Sequence, residues 1–231
     1  MITYASGTRA GGLHEENQDR LAADPAAGTF VVADGIGGLA DAALTARAVV
    51  EQLPLRVRER VTAIGAPEAA RAAAEAAAEL NDRVRDTARS GPGTTGAATA
   101  LLLVRGGLAL AVHLGDSRIY LARDGLLARL TEDHVHEGRL TRFVGMPGRA
   151  DPDVSVHELS AGDRVLLCTD GLVHSVGDEE LRAILTTAGD VERVCARLLG
   201  AAAAGGAIDD VSVIAVQYGT GRWGDGAAQQ R

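Results

Sequence analysis

The chain has no lysine. All 23 of its basic residues are arginine, set against 31 Asp and Glu, and the net charge is −8. That acidity excludes a nucleic-acid backbone or an anionic bilayer as the main partner. The arginine bias reads as GC-rich coding of the kind some bacteria use and carries no mechanism. Aromatic residues make up only 3% of the chain, so any core is built from Ala, Leu, Val and Ile. Two cysteines, Cys168 and Cys195, are too few for a disulfide framework or a four-ligand zinc site. No apolar run reaches the ~18 residues of a membrane span, because Arg105 and Gly106-Gly107 interrupt the longest candidate, Ala97 to Val112. Met1-Ile2-Thr3-Tyr4 has neither the basic start nor the apolar stretch of a secretory signal. The expectation is a cytoplasmic, reduced, monomeric protein.

What is present suffices for one sizeable folded unit: 231 residues, 46% hydrophobic and 23% charged. Short apolar runs bounded by Gly, Asp and Asn predict strands near 2–5, 20–23, 29–33, 97–104, 108–114, 118–122, 126–130, 154–158, 164–168 and 211–217. Asp124-Gly125 and Gly106-Gly107 have the composition of type I′ hairpin turns. Helices are expected in two pairs. The first is 40–64, with Pro54 expected to kink or split it, and 67–89, carrying a Glu79–Arg83 pair at i,i+4. The second is 178–185 and 190–203, each read as starting on a capping Asp. Strands fall before, between and after the helix pairs without βαβ alternation, which fits a layered α+β sandwich. Residues 219–231 read as a flexible tail.

The informative feature is a carboxylate at the end of several apolar strands. Phe30-Val31-Val32-Ala33 runs into Asp34-Gly35, Leu166-Leu167-Cys168-Thr169 into Asp170-Gly171, and Leu110 to Gly115 into Asp116. Asp209-Asp210 opens the last strand. Carboxylates beside buried strands are costly unless their charge is compensated. Divalent cations held by oxygen ligands would neutralise several at once. Taken singly, Asp34-Gly35 and Asp116 could each be a turn; their joint occurrence favours a metal site.

Seven segments in order carry a resemblance. They are Glu16-Asn17-Gln18-Asp19, Val32 to Gly38, Gly93-Thr94-Thr95, His113 to Tyr120, Leu130-Thr131-Glu132-Asp133-His134, Gly162 to Leu172, and Asp209 to Val213. Together they resemble the metal-dependent Ser/Thr protein phosphatases (PPM, type 2C), in their compact bacterial form, from about residue 5 to 217. The resemblance implies a four-layer α-β-β-α sandwich of two mainly antiparallel sheets flanked by helix pairs, forming one domain over 1–218. It implies two Mn²⁺ or Mg²⁺ ions, with a weaker third, and hydrolysis of phosphoserine and phosphothreonine monoesters by a metal-bridging water. Carried over by position, Asp34 would bridge both metals, the Gly35 carbonyl would hold the second, and Asp170 and Asp209 would complete the first. Asp19 would act from the second metal's shell, and Asp116 with Asp170 would form the third site. The implied partners are phosphoproteins made by Ser/Thr kinases.

The sequence departs from the pattern at several points. His14 stands where the family places a phosphate-binding Arg: it is the candidate for that role, the alternatives being an exposed polar His with Arg9 or Arg20 in its place. Asp210 replaces the usual Asn. Only Val135 to Asp153 remains where a helical flap is normally inserted, so the expected flap is minimal or absent and the cleft open. His113, His136, His157 and His174 are read as ordinary strand or surface residues. Two competing readings exist. Gly35-Ile36-Gly37-Gly38-Leu39-Ala40 satisfies a dinucleotide-binding turn, although Asp34 would then oppose a pyrophosphate. A phosphoprotein-binding module of the same fold with little turnover is the other.

Overall fold

The computed structural model describes residues 1–37, 39–87, 95–187 and 189–219. Gly93 and Thr94, Arg89 at the end of the second expected helix, and 220–231 of the expected tail lie outside the described residues.

Two five-stranded sheets are built wholly from antiparallel pairings. One has the order β10 (Asp153–Glu158), β5 (Leu108–Leu114), β4 (Thr95–Arg105), β3 (Thr29–Gly37), β2 (Asp19–Asp24). The other runs β1 (Ile2–Arg9), β12 (Val211–Tyr218), β11 (Arg164–Cys168), β6 (Arg118–Arg123), β7 (Leu126–Arg129). Strand alternation decides which residues face which layer. In β3, Phe30 and Val32 meet Leu167 and Ile214 of the opposite sheet, while Val31 and Ala33 face helices. Those helices are α1 (Leu39–Arg60) and α2 (Ala69–Thr87). The second sheet's outer face, including Leu166, Cys168 and Val213, is covered by α3 (Asp170–Ser175), α4 (Asp178–Thr186) and α5 (Val191–Ala204). This is the α-β-β-α sandwich, with three apolar layers and little aromatic mass in any of them.

Local chemistry accounts for most of the elements. Asp124 and Gly125 have φ of 51° and 78°, and Gly106 and Gly107 58° and 82°, as two-residue hairpins demand. The buried face of α2 is Ala69, Ala73, Ala76, Ala77, Leu80 and Val84, a narrow helical stripe of mostly small residues. Arg164 is fully buried, and its guanidinium donates to the carbonyls of Leu185, Thr187 and Gly189, tying the end of α4 to β11.

Two helix expectations are corrected and a third is narrowed. Pro54 does not split α1, which runs unbroken for 22 residues; burial of Leu53 and Val57 against the sheet offsets the one lost backbone bond. Asp178 is not a cap: Gly177 holds that position and Asp178 lies in the first turn, where its charge suits the helix dipole. Asp190 does cap α5, accepting from the Arg193 N–H at 2.9 Å. Glu79 pairs with Arg60 of α1, at 2.5 Å, rather than with Arg83.

Between Asp133 and Asp153 there is no helix. A small hairpin, β8 (Val135–His136) with β9 (Arg139–Leu140), is followed by irregular chain. That chain is pinned to β4 by paired hydrogen bonds between Val144 and Ala97. It is pinned to α2 by the buried Asn81, whose amide donates to the Gly148 carbonyl and accepts from the Gly145 N–H.

Candidate functional site

Asp34 lies near the end of β3, on the same face as Phe30 and Val32, so its carboxylate meets the edge of the inter-sheet layer. Asp34-Gly35 is therefore not a turn. β2 pairs with β3 so that Asp19 stands directly opposite Asp34. Two like charges in that relation repel unless something lies between them. Asp116 follows β5, and Asp170 opens α3 after β11. One carboxylate oxygen from each of Asp34, Asp116 and Asp170 lies within 4.8 Å of the other two. Three residues separated by 82 and 54 positions in the chain thus share one spot.

Asp209 and Asp210 sit beside it, at the start of β12. His14 joins them, its Nδ1 3.8 Å from Asp209 Oδ1 and from Asp210 Oδ2. Asp210 is buried, and its two oxygens accept from the backbone N–H groups of Gly11 (2.9 Å) and Gln18 (2.7 Å). It straps the β1–β2 loop, which carries His14, onto β12. Asp209 is the freer of the two.

The electrostatics follow from crowding. Burial raises Asp34 well above the usual carboxylate range, and Asp19, Asp170, Asp116 and Asp209 push it further. Burial also raises Asp19 to about 7, against hydrogen bonds from Thr169 and Ser212 that oppose the rise. Asp116 is pushed up to about 6 by burial and by Asp170. Asp170 rises through burial and the charge of Asp209, with His174 opposing. His174 is the one basic group among the leading influences on these four carboxyls. Asp19 Oδ1 and Asp170 Oδ1 are buried with no hydrogen-bond partner. Hard oxygen donors, two of them orphaned and all repelling one another, are the donor set a divalent cation satisfies. The residues fit the metals expected of them.

Glycine permits the close packing around this set. A Cβ on Gly35 would collide with the Ala42 carbonyl of α1, and one on Gly171 with the Asp210 carbonyl. The second lets the start of α3, and Asp170 with it, approach the Asp209–Asp210 backbone closely.

Parts of the site escape a reading by spacing. The hydroxyl of Thr169 donates to Asp19 Oδ2 at 2.8 Å and accepts from the Ser212 N–H at 2.9 Å, joining β11, β2 and β12. The six-residue α3 places the exposed His174 with its Nδ1 3.4 Å from Asp170 Oδ2, so this surface histidine borders the cluster. His113 is buried against His134. The dinucleotide reading has no support in the geometry: Gly35 and Gly37 lie within an antiparallel strand, not in a loop after a parallel one.

These features define a class: an α-β-β-α sandwich protein with a crowded carboxylate cluster at one edge of its inter-sheet layer. The chain belongs to the protein phosphatase 2C family, whose model matches residues 7–204. It is 31% identical to the serine/threonine protein phosphatase PstP of Mycobacterium tuberculosis, over 93% of this chain and 44% of PstP. The chain thus spans less than half the length of that curated relative. Among solved structures, PppA of Pseudomonas aeruginosa, described as a key regulatory component of its T6SS, has TM-score 0.83 at 31% identity, covering 94% of this chain and 97% of that one. The catalytic domain of the serine/threonine protein phosphatase PstP in complex with two manganese ions has TM-score 0.79 at 28% identity, covering 95% and 99%.

Proposed function

We propose that this chain is a protein phosphatase removing phosphate from serine and threonine with two Mn²⁺ or Mg²⁺ ions and a weaker third. The observation that carries the reading is the convergence of Asp34, Asp116 and Asp170 within 4.8 Å, with the exposed His174 beside Asp170 as the one basic group among the leading influences on them. PstP bound to two manganese ions supports the choice of metal.

In this reading Asp34, the Gly35 carbonyl, Asp170 and Asp209 would hold the two core ions, and Asp116 with Asp170 would hold the weaker third. When bound, the ions supply an activated water and offset charge on the phosphoryl oxygens. The chain's own work is positioning. Thr169 holds Asp19 by one oxygen and leaves the other, Oδ1, buried without a partner across the strand pair from Asp34. Asp210 spends both oxygens on backbone amides, so it is a strap rather than a ligand. His14, next to Asp209 and partly exposed, is the candidate for contact with substrate phosphate. The short hairpin and pinned chain between Asp133 and Asp153 support a minimal flap within a 1–218 domain, and so an open cleft. Phosphoproteins made by Ser/Thr kinases, a monomeric state and a cytoplasmic setting complete the proposal. No described helix is long and apolar enough to cross a membrane.

The test is hydrolysis of an aryl phosphate and of a phosphothreonine peptide with Mn²⁺ and then with excess EDTA. Turnover of both, lost in EDTA and restored by Mn²⁺, is the expected result, with His14→Ala raising KM more than it lowers kcat. Binding of the phosphopeptide without turnover would replace the enzyme by a recognition module.

A further inference from the structure

His134 lies outside the acidic cluster, yet it grips the residue that precedes one of its members. Its backbone N–H donates to the Gly115 carbonyl at 2.8 Å, and its Nδ1 accepts from the Gly115 N–H at 3.1 Å. Both polar groups of Gly115 are therefore held by one residue. Gly115 has φ of 104°, and a Cβ there would collide with Ala98. Only glycine suits that backbone, and glycine left alone is the least constrained of residues. Asp116 is the next residue.

The other edge of the ring is held as well. His134 Nε2 lies 3.0 Å from Asp153 Oδ2, and Asp153 Oδ1 accepts from Arg142 at 2.7 Å. A backbone N–H can only donate, so Nδ1 presents its lone pair to Gly115 and the ring proton sits on Nε2, facing Asp153. His113 packs on the ring, centroids 4.6 Å apart. His113, His134 and Asp153 bring three donor atoms within 4.8 Å, as a metal site would. The tautomer opposes that use: His134 has no lone pair to give without releasing Gly115.

We propose that His134 is a positioning residue for Asp116. Arg142 and Asp153 set the tautomer, the tautomer holds Gly115, and Gly115 aims the Asp116 carboxylate at Asp34 and Asp170. The functional consequence rests on reading Asp116 as a ligand of the weaker metal; the grip on Gly115 does not.

The chemistry makes an unusual ordering of variants. In Asp153→Asn, Arg142 claims the remaining carbonyl oxygen and the amide NH₂ turns toward Nε2. The His134 proton must then move to Nδ1, against the Gly115 N–H, as when an orienting carboxylate is replaced beside a catalytic histidine. Asp153→Ala removes the orienting group without forcing the wrong tautomer, so it should harm less. His134→Asn places a carbonyl oxygen close to where Nδ1 was and keeps the acceptor, whereas His134→Ala removes it.

Two readouts test this: amide hydrogen exchange at Gly115 in ¹⁵N-labelled, metal-free protein, and the Mn²⁺ concentration giving half-maximal activity. In His134→Ala and Asp153→Asn, Gly115 should exchange about tenfold faster or more, the scale of one lost hydrogen bond, and the Mn²⁺ requirement should rise about tenfold. His134→Asn and Asp153→Ala should stay nearer the parent in both. Unchanged Gly115 exchange in Asp153→Asn, or His134→Asn no better than His134→Ala, would overturn the grip. Faster exchange with an unmoved Mn²⁺ requirement would overturn the aiming of Asp116. A parent enzyme indifferent to Mn²⁺ would sink the phosphatase reading alone, since the exchange comparison needs no metal.

Discussion

Asp34→Asn should lower Mn²⁺-dependent hydrolysis of an aryl phosphate at least about a hundredfold, while raising the melting temperature of the metal-free protein at pH 8. Both effects come from one arrangement. Asp34 is buried opposite Asp19 across a strand pair, and its oxygens share a small space with those of Asp116 and Asp170. Without metal its charge is a liability, raised in energy by burial first and by four neighbouring carboxylates after it. Asn keeps the shape and removes the charge, so it relieves repulsion. With metal, on the proposed assignment, the same charge would be a ligand, and Asn is a poor substitute for it. A hundredfold loss is about 2.7 kcal/mol of transition-state stabilisation, a modest demand on a ligand proposed to serve two ions. Asp170→Asn should behave alike in rate. Steady-state kinetics and calorimetry on the same preparations decide it. A variant with near-parent activity, or one melting lower than the parent without metal, would contradict the account.

The second large effect is the dependence of metal stabilisation on pH. Asp19, at about 7, and Asp116, at about 6, have folded-state pKa values above their unfolded value of 3.8, and burial raises Asp34 and Asp170 in the same direction. The folded, metal-free protein therefore keeps protons that the unfolded chain has lost. Its stability falls as pH rises from about 4 through about 7. His113, which burial holds down to about 4, and His157, also lowered by burial, give the opposite trend below their ordinary 6.5. Above about pH 6.5 they are silent and the carboxylates act alone. Mn²⁺ needs those carboxylates ionised, so its binding competes with protons and strengthens with pH. At Mn²⁺ about a hundredfold over its Kd, stabilisation is about 2.7 kcal/mol, or roughly 5–10 °C for a domain of this size. The increment in melting temperature on adding Mn²⁺ should thus be larger at pH 8 than at pH 6.5. Equal increments, or none, would contradict a site made of these acids.

Much of this was legible before the structure. Strands such as Leu108–Leu114 and Arg164–Cys168 stand out because their apolar runs end at Gly and Asp, and the hairpin dipeptides can hardly adopt anything but positive φ. Asp34, Asp116 and Asp170 are visible as acids at the ends of such runs, since a strand's end is where a side chain leaves the core. Helix α3 is not visible: six residues are too few for a periodic pattern, so the nearness of His174 to Asp170 is hidden too. The partner of Glu79 depends on how α1 packs on α2, and local spacing favours the wrong arginine. The link between Thr169 and Ser212 depends on register between strands far apart in the chain, and the grip of His134 on Gly115 on how the chain after β7 returns to the end of β5; no local pattern encodes either. His113 looks like any strand residue until β10 brings Asp153 opposite it.

The most direct test is anomalous diffraction from crystals grown with Mn²⁺. Two strong peaks a few ångströms apart, both within coordination distance of Asp34, with Asp170 and Asp209 on one of them, are the expected result. No peak in reach of Asp34, or manganese held only at His113, His134 and Asp153, would contradict the central claim that separated aspartates are gathered here to bind a pair of cations.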